Sequence, residues 1–225
     1  MNQEPNLTSA GASFPALNAI IDVDAADRAG WRPLDLTRAF VGGGARFLQL
    51  RAKSMASGPM LDLAVAVVEL AHAAGALVIV NDRADIARLA GADGVHVGQE
   101  DLSPSAVRMI AGVDAIVGLS THTPAQVDRA IREPVSYVAI GPVFGTATKA
   151  TGYERVGLEM VRDAASRAGA RDLPLVAIGG TTLEHAVSVI EAGAASVAVI
   201  GDLLATGDPE RQTRNFLNRM RQALT

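Results

Sequence analysis

The chain has no cysteine in 225 residues. That absence removes disulfide frameworks, thiolate zinc sites, iron–sulfur clusters and cysteine nucleophiles together. It fits a reducing compartment, and a cytoplasmic location is expected. No window reaches the roughly 18 consecutive apolar residues that a membrane span needs, so no membrane partner is expected. Nor is there a run of Lys or Arg. With a formal net charge of −4 and dispersed cations, nothing resembles a nucleic-acid or anionic-membrane surface, because such surfaces are built from clustered positive charge. Small-molecule substrates remain as the expected partners, and a homo-oligomer is compatible with all of this. Met1 to Ala12 are polar, contain Pro5 and Gly11, and lack the basic start and apolar stretch of a signal peptide. Residues 1–16 are expected to form a flexible tail and residues 17–225 a single catalytic domain.

What is present is a large core and many turns: 49% apolar residues, 22 glycines and only 20% charged residues describe a folded globular chain. Length alone allows one large α/β domain or two small ones. Short apolar runs at Asn18–Asp22, Phe47–Arg51, Leu77–Asn81, Gly94–Val97, Ala115–Leu119, Tyr137–Gly141, Leu175–Gly179 and Ser196–Ile200 read as buried strands. Between them lie segments of helical period, at Leu34–Phe40, Pro59–Ala74, Arg83–Ala90, Pro104–Ile110, Pro124–Ile131, Leu158–Ala168 and Leu183–Ala192, with a last one at Pro209–Leu224. Several open with proline after Ser, Thr or Asp, the expected chemistry of a first helical turn.

Eight strand–helix units in strict alternation predict an α/β fold, a single-domain TIM (β/α)8 barrel. An open doubly wound sheet is the alternative. Closure is favoured by the repeated Ala-Gly-Ala before a strand, at Gly91, Gly169 and Gly193, read as a left-handed helix stop. It is also favoured by the lack of a Gly-x-Gly-x-x-Gly after the first strand. Gly42-Gly43-Gly44 precedes the second strand and reads as a helix-to-strand return.

A barrel keeps its chemistry at the strand C-terminal ends, and these are polar here. Gln49, Arg51 and Lys53 fall on one side of the second strand. Asn81 and Asp82 end the third strand, while Gln99 and Asp101 follow the fourth. Asp82 and Asp101 could converge on one cation, or they could be merely a helix cap and a turn residue. Ser120-Thr121-His122-Thr123 follows the fifth strand. Gly141 to Lys149 follows the sixth, in a loop longer than is typical. Gly179-Gly180-Thr181 and Ile200-Gly201-Asp202 follow the last two strands, where barrels commonly bind phosphate; a Gly-Gly can also be a plain turn. Of the histidines, His72 and His185 read as structural, His96 as a core or rim residue, and His122 as a neighbour of Ser120 within reach of a bound anion.

Taken in order, Gln49-Leu50-Arg51-x-Lys53, Asn81-Asp82-Arg83, Gly94-Val95-His96-Val97-Gly98-Gln99-Glu100-Asp101, Ser120-Thr121-His122-Thr123, Gly141-Pro142-Val143-Phe144 with Thr146-x-Thr148-Lys149, and Ala177-Ile178-Gly179-Gly180 resemble the thiamine phosphate synthase family over nearly the whole chain. The resemblance implies a transferase of thiamine biosynthesis. It would join an aminopyrimidine bearing a diphosphooxymethyl group to a thiazole phosphate and release pyrophosphate, by a dissociative displacement assisted by Mg²⁺. It implies Asp82 and Asp101 as Mg²⁺ ligands; Arg51, Lys53, Ser120 and Lys149 on the diphosphate, with Arg51, Ser120 and Lys149 catalytic; Gln49 and Asn81 on the pyrimidine; and Thr146, Thr148, Gly180, Ile200 and Gly201 on the thiazole side. A thiazole tautomerase on the same barrel, or a non-catalytic barrel that binds thiamine precursors, are the competing readings. Three positions depart from the family pattern: Ala52 where Glu is common, Gly201 where Ser is usual, and a first strand without its aromatic residue.

Overall fold

The computed structural model describes residues 14–145 and 154–223. Eight strands among them form a closed parallel barrel in sequence order: β1 (Leu17–Asp22), β2 (Phe47–Arg51), β3 (Leu77–Asn81), β4 (Gly94–Val97), β5 (Ile116–Thr121), β6 (Tyr137–Ile140), β7 (Leu175–Ile178) and β8 (Ser196–Val199). The ring closes where β8 pairs with β1, with Leu17 opposite Val197 and Ala19 opposite Val199. No expected strand boundary is off by more than two residues.

The helices wrap the outside: α1 (Val23–Arg28), α2 (Pro33–Gly42), α3 (Ser57–Ala73), α4 (Ala84–Ala90), α5 (Pro104–Ala111), α6 (Pro124–Ala130), α7 (Gly157–Gly169), α8 (Ala186–Glu191), α9 (Gly201–Leu204) and α10 (Pro209–Ala223). Proline opens α5 and α6 behind Ser103 and Thr123, whose hydroxyls accept from the amides of Ala106 and Gln126. Two short helices were not expected from the sequence. α1 exists because Asp22, ending β1, caps it by accepting from the Ala25 amide at 2.8 Å. α9 is a single turn directly after β8, too short for a periodic pattern to register.

The Ala-Gly-Ala expectation holds in two places and fails in one. Gly91 and Gly193 have φ of 70° and 99°, the left-handed stop that glycine permits. Gly169 remains within α7, and the left-handed residue is Asp172 at φ 55°, three positions on. Asp can occupy that region because its short polar side chain hydrogen-bonds locally.

Strand alternation sorts the core into two shells. Outward side chains such as Ile21, Leu48, Leu50, Val78, Val80 and Val197 meet the helices in the main cluster. Inward ones, Ile20, Phe47, Leu77, Ile79, Tyr137, Ala139, Val176 and Ala198, fill the barrel. Phe14 plugs the N-terminal mouth, its ring 5.3 Å from Phe47 and 5.8 Å from Tyr137. The Ala16 carbonyl accepts from Val197 at 2.9 Å. Residues 14–16, assigned to the tail by sequence, therefore pack on the barrel.

Tyr137 reaches across the interior because Gly118 has no side chain. A Cβ at Gly118 would lie 2.1 Å from the Tyr137 ring and 2.5 Å from His96 Nδ1. Gly118→Ala should therefore destabilise the protein by about 3 kcal/mol, the upper range for an overpacked core. Urea denaturation would measure it; an unchanged midpoint would contradict this packing.

Candidate active site

The C-terminal rim has two halves. The first is built on β1 to β4. Asp22 and Arg51 end neighbouring strands and are partners in register, and an Arg51 guanidinium nitrogen pairs with Asp22 Oδ2. The carboxylate is only 2% exposed and Arg51 14%, so the pair is poorly screened and fixes the guanidinium. Sequence reasoning missed Asp22. Its signal was available, since an acid ends the first strand beside the second strand's terminal arginine. Lys53, beyond the strand end, lies 3.2 Å from Asp82 Oδ2.

Asp82 does not cap α4. Arg83 holds that position and is itself engaged by Asp85 at 2.5 Å and Ser57 at 3.1 Å. Asp82 instead adopts φ 65°. Its amide donates to the His96 carbonyl at 2.8 Å, while the next amide, of Arg83, folds back onto the Asn81 carbonyl at 2.8 Å. This three-residue turn with positive φ is strained for a non-glycine residue, and it aims the carboxylate along the rim at Asp101. Burial, followed by the negative charge of Asp101, raises the Asp82 pKa above the ordinary carboxylate range, and Lys53 offsets part of this. Asp101 is also a turn residue: its Oδ2 accepts from the Gly98 amide at 2.8 Å. The turn role expected for Asp101 is therefore present in the structure.

Gln49 and Asn81 point inward and are buried. Among the described residues Asn81 Nδ2 has no hydrogen-bond partner, leaving a buried donor free to meet a ligand. Lys53, Asn81, Asp82 and Arg83 line a pocket of about 260 Å³ that is floored by Met55 and Met60. Ala52 is buried at its edge, 5% exposed and packed in the outer core.

The second half lies over β5 to β8, where a cavity of about 340 Å³ is lined by Ser120, His122, Gly141, Gly180, Ile200 and Gly201, among others. Its wall needs glycine. At Gly180, φ is 67° and a Cβ would lie 2.3 Å from the Gly145 carbonyl oxygen; at Gly179, φ is 102° and a Cβ would lie 2.5 Å from Pro142. These glycines are therefore more than a turn, because they let the loops after β6 and β7 pass in contact. Asp202 ties the wall together, accepting from the Leu183 amide at 2.9 Å and from Gln212 at 3.2 Å. His122 lines the cavity with Nδ1 2.5 Å from the Gly141 carbonyl oxygen.

Ser120 stands between the halves. Its carbonyl accepts from Gln99 at 2.7 Å, and its hydroxyl lies 2.8 Å from His96 Nε2. Thr146, Thr148 and Lys149 lie outside the described residues. The loop that carries them has its stems joined, since the Val156 and Gly157 amides donate to the carbonyls of Pro142 and Val143 at 2.8 and 3.0 Å.

A parallel barrel with cations, a carboxylate pair and a glycine-walled cavity on its C-terminal rim belongs with the barrel enzymes that act on phosphorylated small molecules. Comparison with known proteins makes this specific. The thiamine monophosphate synthase family model matches residues 19–203. The chain is 40% identical over 216 residues to the thiamine-phosphate synthase of Roseiflexus castenholzii, covering 95% of this chain and 93% of that protein. It is 43% identical over 197 residues to that of Thermus thermophilus, with 86% and 93% covered. The solved structure of a thiamine phosphate pyrophosphorylase from Pyrococcus furiosus superposes with a TM-score of 0.83 at 27% identity, over 93% of this chain and 97% of that one. The chain belongs to the thiamine monophosphate synthase family.

The Asp22–Arg51 pair can be tested by stability. Asp22→Ala leaves a buried guanidinium unpaired and removes the α1 cap, and should cost about 3–5 kcal/mol. Asp22→Asn keeps a cap acceptor and should recover about 1 kcal/mol of that. Equal, small losses in chemical denaturation would show that the pair contributes little.

Proposed function

We propose that this chain is a thiamine-phosphate synthase, joining an aminopyrimidine methyl diphosphate to a thiazole phosphate with release of pyrophosphate. The observation that carries the proposal is the two-part rim of a family member: a carboxylate pair flanked by Arg51 and Lys53 beside a glycine-walled cavity. A tautomerase has no diphosphate to hold and no use for the first half. A barrel that merely binds precursors has no use for the strained turn at Asp82.

In the proposed mechanism the carbon–oxygen bond to the diphosphate breaks heterolytically. The bonding pair leaves with the oxygen, and the pyrimidine-stabilised cation is captured by the lone pair of the thiazole nitrogen. No proton need move in either step, so positioning and charge are what the protein must supply. Arg51, held by Asp22, and Lys53 bind the diphosphate; Ser120 donates to it from the other side, and Lys149 stabilises it as it departs. Gln49 and the free Asn81 amide donor orient the pyrimidine. Gly180, Ile200 and Gly201 receive the thiazole phosphate, with Thr146 and Thr148 on the thiazole. A glycine at 201 retains the backbone amide, the group such a phosphate contact uses.

The donor set suits Mg²⁺. Burial, followed by the charge of Asp101, raises the proton affinity of Asp82, and a divalent cation between the two carboxylates would relieve their repulsion. Among the described residues no third His, Asp or Glu joins the cluster, which fits an ion that keeps several ligands from water and substrate phosphate. Asp82 and Asp101 would hold the ion, whose charge would offset that of the departing pyrophosphate.

Purified protein mixed with both substrates should form thiamine phosphate and release one pyrophosphate for each product, only when Mg²⁺ is present. Asp82→Ala should lose this coupling while unfolding at the wild-type temperature; full activity in that variant would remove Asp82 from the metal site. Lys149→Ala should lower kcat about 100-fold, with a much smaller change in KM, because its charge matters most as the leaving group departs. An unchanged kcat would place Lys149 outside the mechanism.

A further inference from the structure

Beneath Ser120 a hydrogen-bonded chain runs down into the barrel. His96 Nε2 lies 2.8 Å from Ser120 Oγ, and His96 Nδ1 lies 2.9 Å from the Tyr137 hydroxyl. The imidazole and phenol rings are nearly parallel, with centroids 5.6 Å apart. Both residues are inside the barrel, Tyr137 fully buried and His96 8% exposed. The Phe14 and Phe47 rings clad the phenol. Gly118 leaves the space the contact occupies, since a side chain there would strike both residues. Sequence reasoning assigned His96 a core or rim role and gave Tyr137 none.

The direction of this chain follows from what each group can give. Burial pushes the Tyr137 phenol far above its ordinary range, so it keeps its proton. Among the described residues, its only hydrogen-bond partner is His96. If His96 Nδ1 carried a hydrogen, the phenol oxygen would have to accept it, and the buried phenol hydrogen would be left without an acceptor, a costly arrangement. The phenol therefore donates to Nδ1. A ring nitrogen's protonation is set by the bond its partner nitrogen makes, so Nε2 carries the hydrogen and donates to Ser120 Oγ. With its oxygen already accepting from His96, the Ser120 hydroxyl is held in place and its own hydrogen is left for a ligand in the cavity that Ser120 lines.

We propose that Tyr137 and His96 are positioning residues of the coupling reaction, a relay from the barrel interior that presents the Ser120 hydroxyl to the diphosphate as a donor. The proposal rests on the synthase reading for the identity of that ligand. No proton is transferred along the chain; the relay sets orientation only.

Tyr137→Phe tests it, because the phenyl ring keeps the contacts with Phe14 and Phe47 while removing the donor. In substrate-free wild-type protein, nitrogen-15 NMR should show His96 protonated at Nε2, and Tyr137→Phe should lose that bias. In the coupling assay Tyr137→Phe should lower kcat about tenfold, the scale of one hydrogen bond, with KM for either substrate changed less than twofold. In a Ser120→Ala background it should cause no further loss, because a residue that acts through Ser120 has nothing left to orient. A purely structural tyrosine would cause the same loss in both backgrounds, and that result, or a wild-type His96 protonated at Nδ1, would overturn the relay. A wild-type protein with the expected tautomer but no turnover would overturn the synthase reading instead.

Discussion

The pairing of β8 with β1 is the constraint on which the rest depends. Once Leu17 and Ala19 register with Val197 and Val199, all eight strands end on one ring, and groups up to 180 residues apart in sequence share a surface. Register then decides which groups meet. Asp22 opposite Arg51 makes an ion pair, and Asn81 opposite His96 brings the Asp82 turn against the fourth strand. Slipping either strand by one residue would send these side chains into the helical shell.

The barrel interior is layered, and the layering explains the electrostatics of the rim. Phe14, Phe47 and Tyr137 close the bottom as an aromatic plug. Above them, Gln49, Asn81, His96 and Ser120 form a polar layer, and the ionised groups lie at the top. Asp82, partly buried above this apolar floor and its polar layer, has its pKa raised first by that burial and then by the charge of Asp101, with Lys53 offsetting part of the shift. The same apolar floor makes Tyr137 commit its hydrogen to His96. Phe144, stacked on His185 with ring centroids 4.2 Å apart, gives the loop after β6 a fixed base beside the glycine wall. The described part of the rim is thus held by the fold itself, as suits a site that works by positioning and charge.

Much of this was legible in the sequence, for identifiable reasons. A buried parallel strand is a nearly continuous apolar run, so β2, β3 and β4 could be delimited to the residue, and Asp82 and Asp101 could be seen at strand ends. Pairings between distant elements were not legible. Asp22 looked like the end of a strand because its function depends on a neighbour 29 residues away. Tyr137 looked like core because it is core, and its hydroxyl contact with His96 exists only where the missing side chain at Gly118 leaves room for it. The left-handed residue expected at Gly169 fell at Asp172, because a local glycine signal yields to where the chain must turn to enter β7. In each case the residue type was readable and the contact was a property of the closed barrel.

In the proposed function the two phosphorylated groups bind on opposite sides of one rim, the diphosphate mainly at the β1–β4 half and the thiazole phosphate over β5–β8. Backbone amide NMR titration tests it most directly. Mg²⁺ with pyrophosphate should shift the amides of Arg51, Lys53, Asp82 and Gly98 and leave Gly180 and Gly201 unmoved, whereas thiazole phosphate should do the reverse. Both ligands moving the same set of amides would contradict the account.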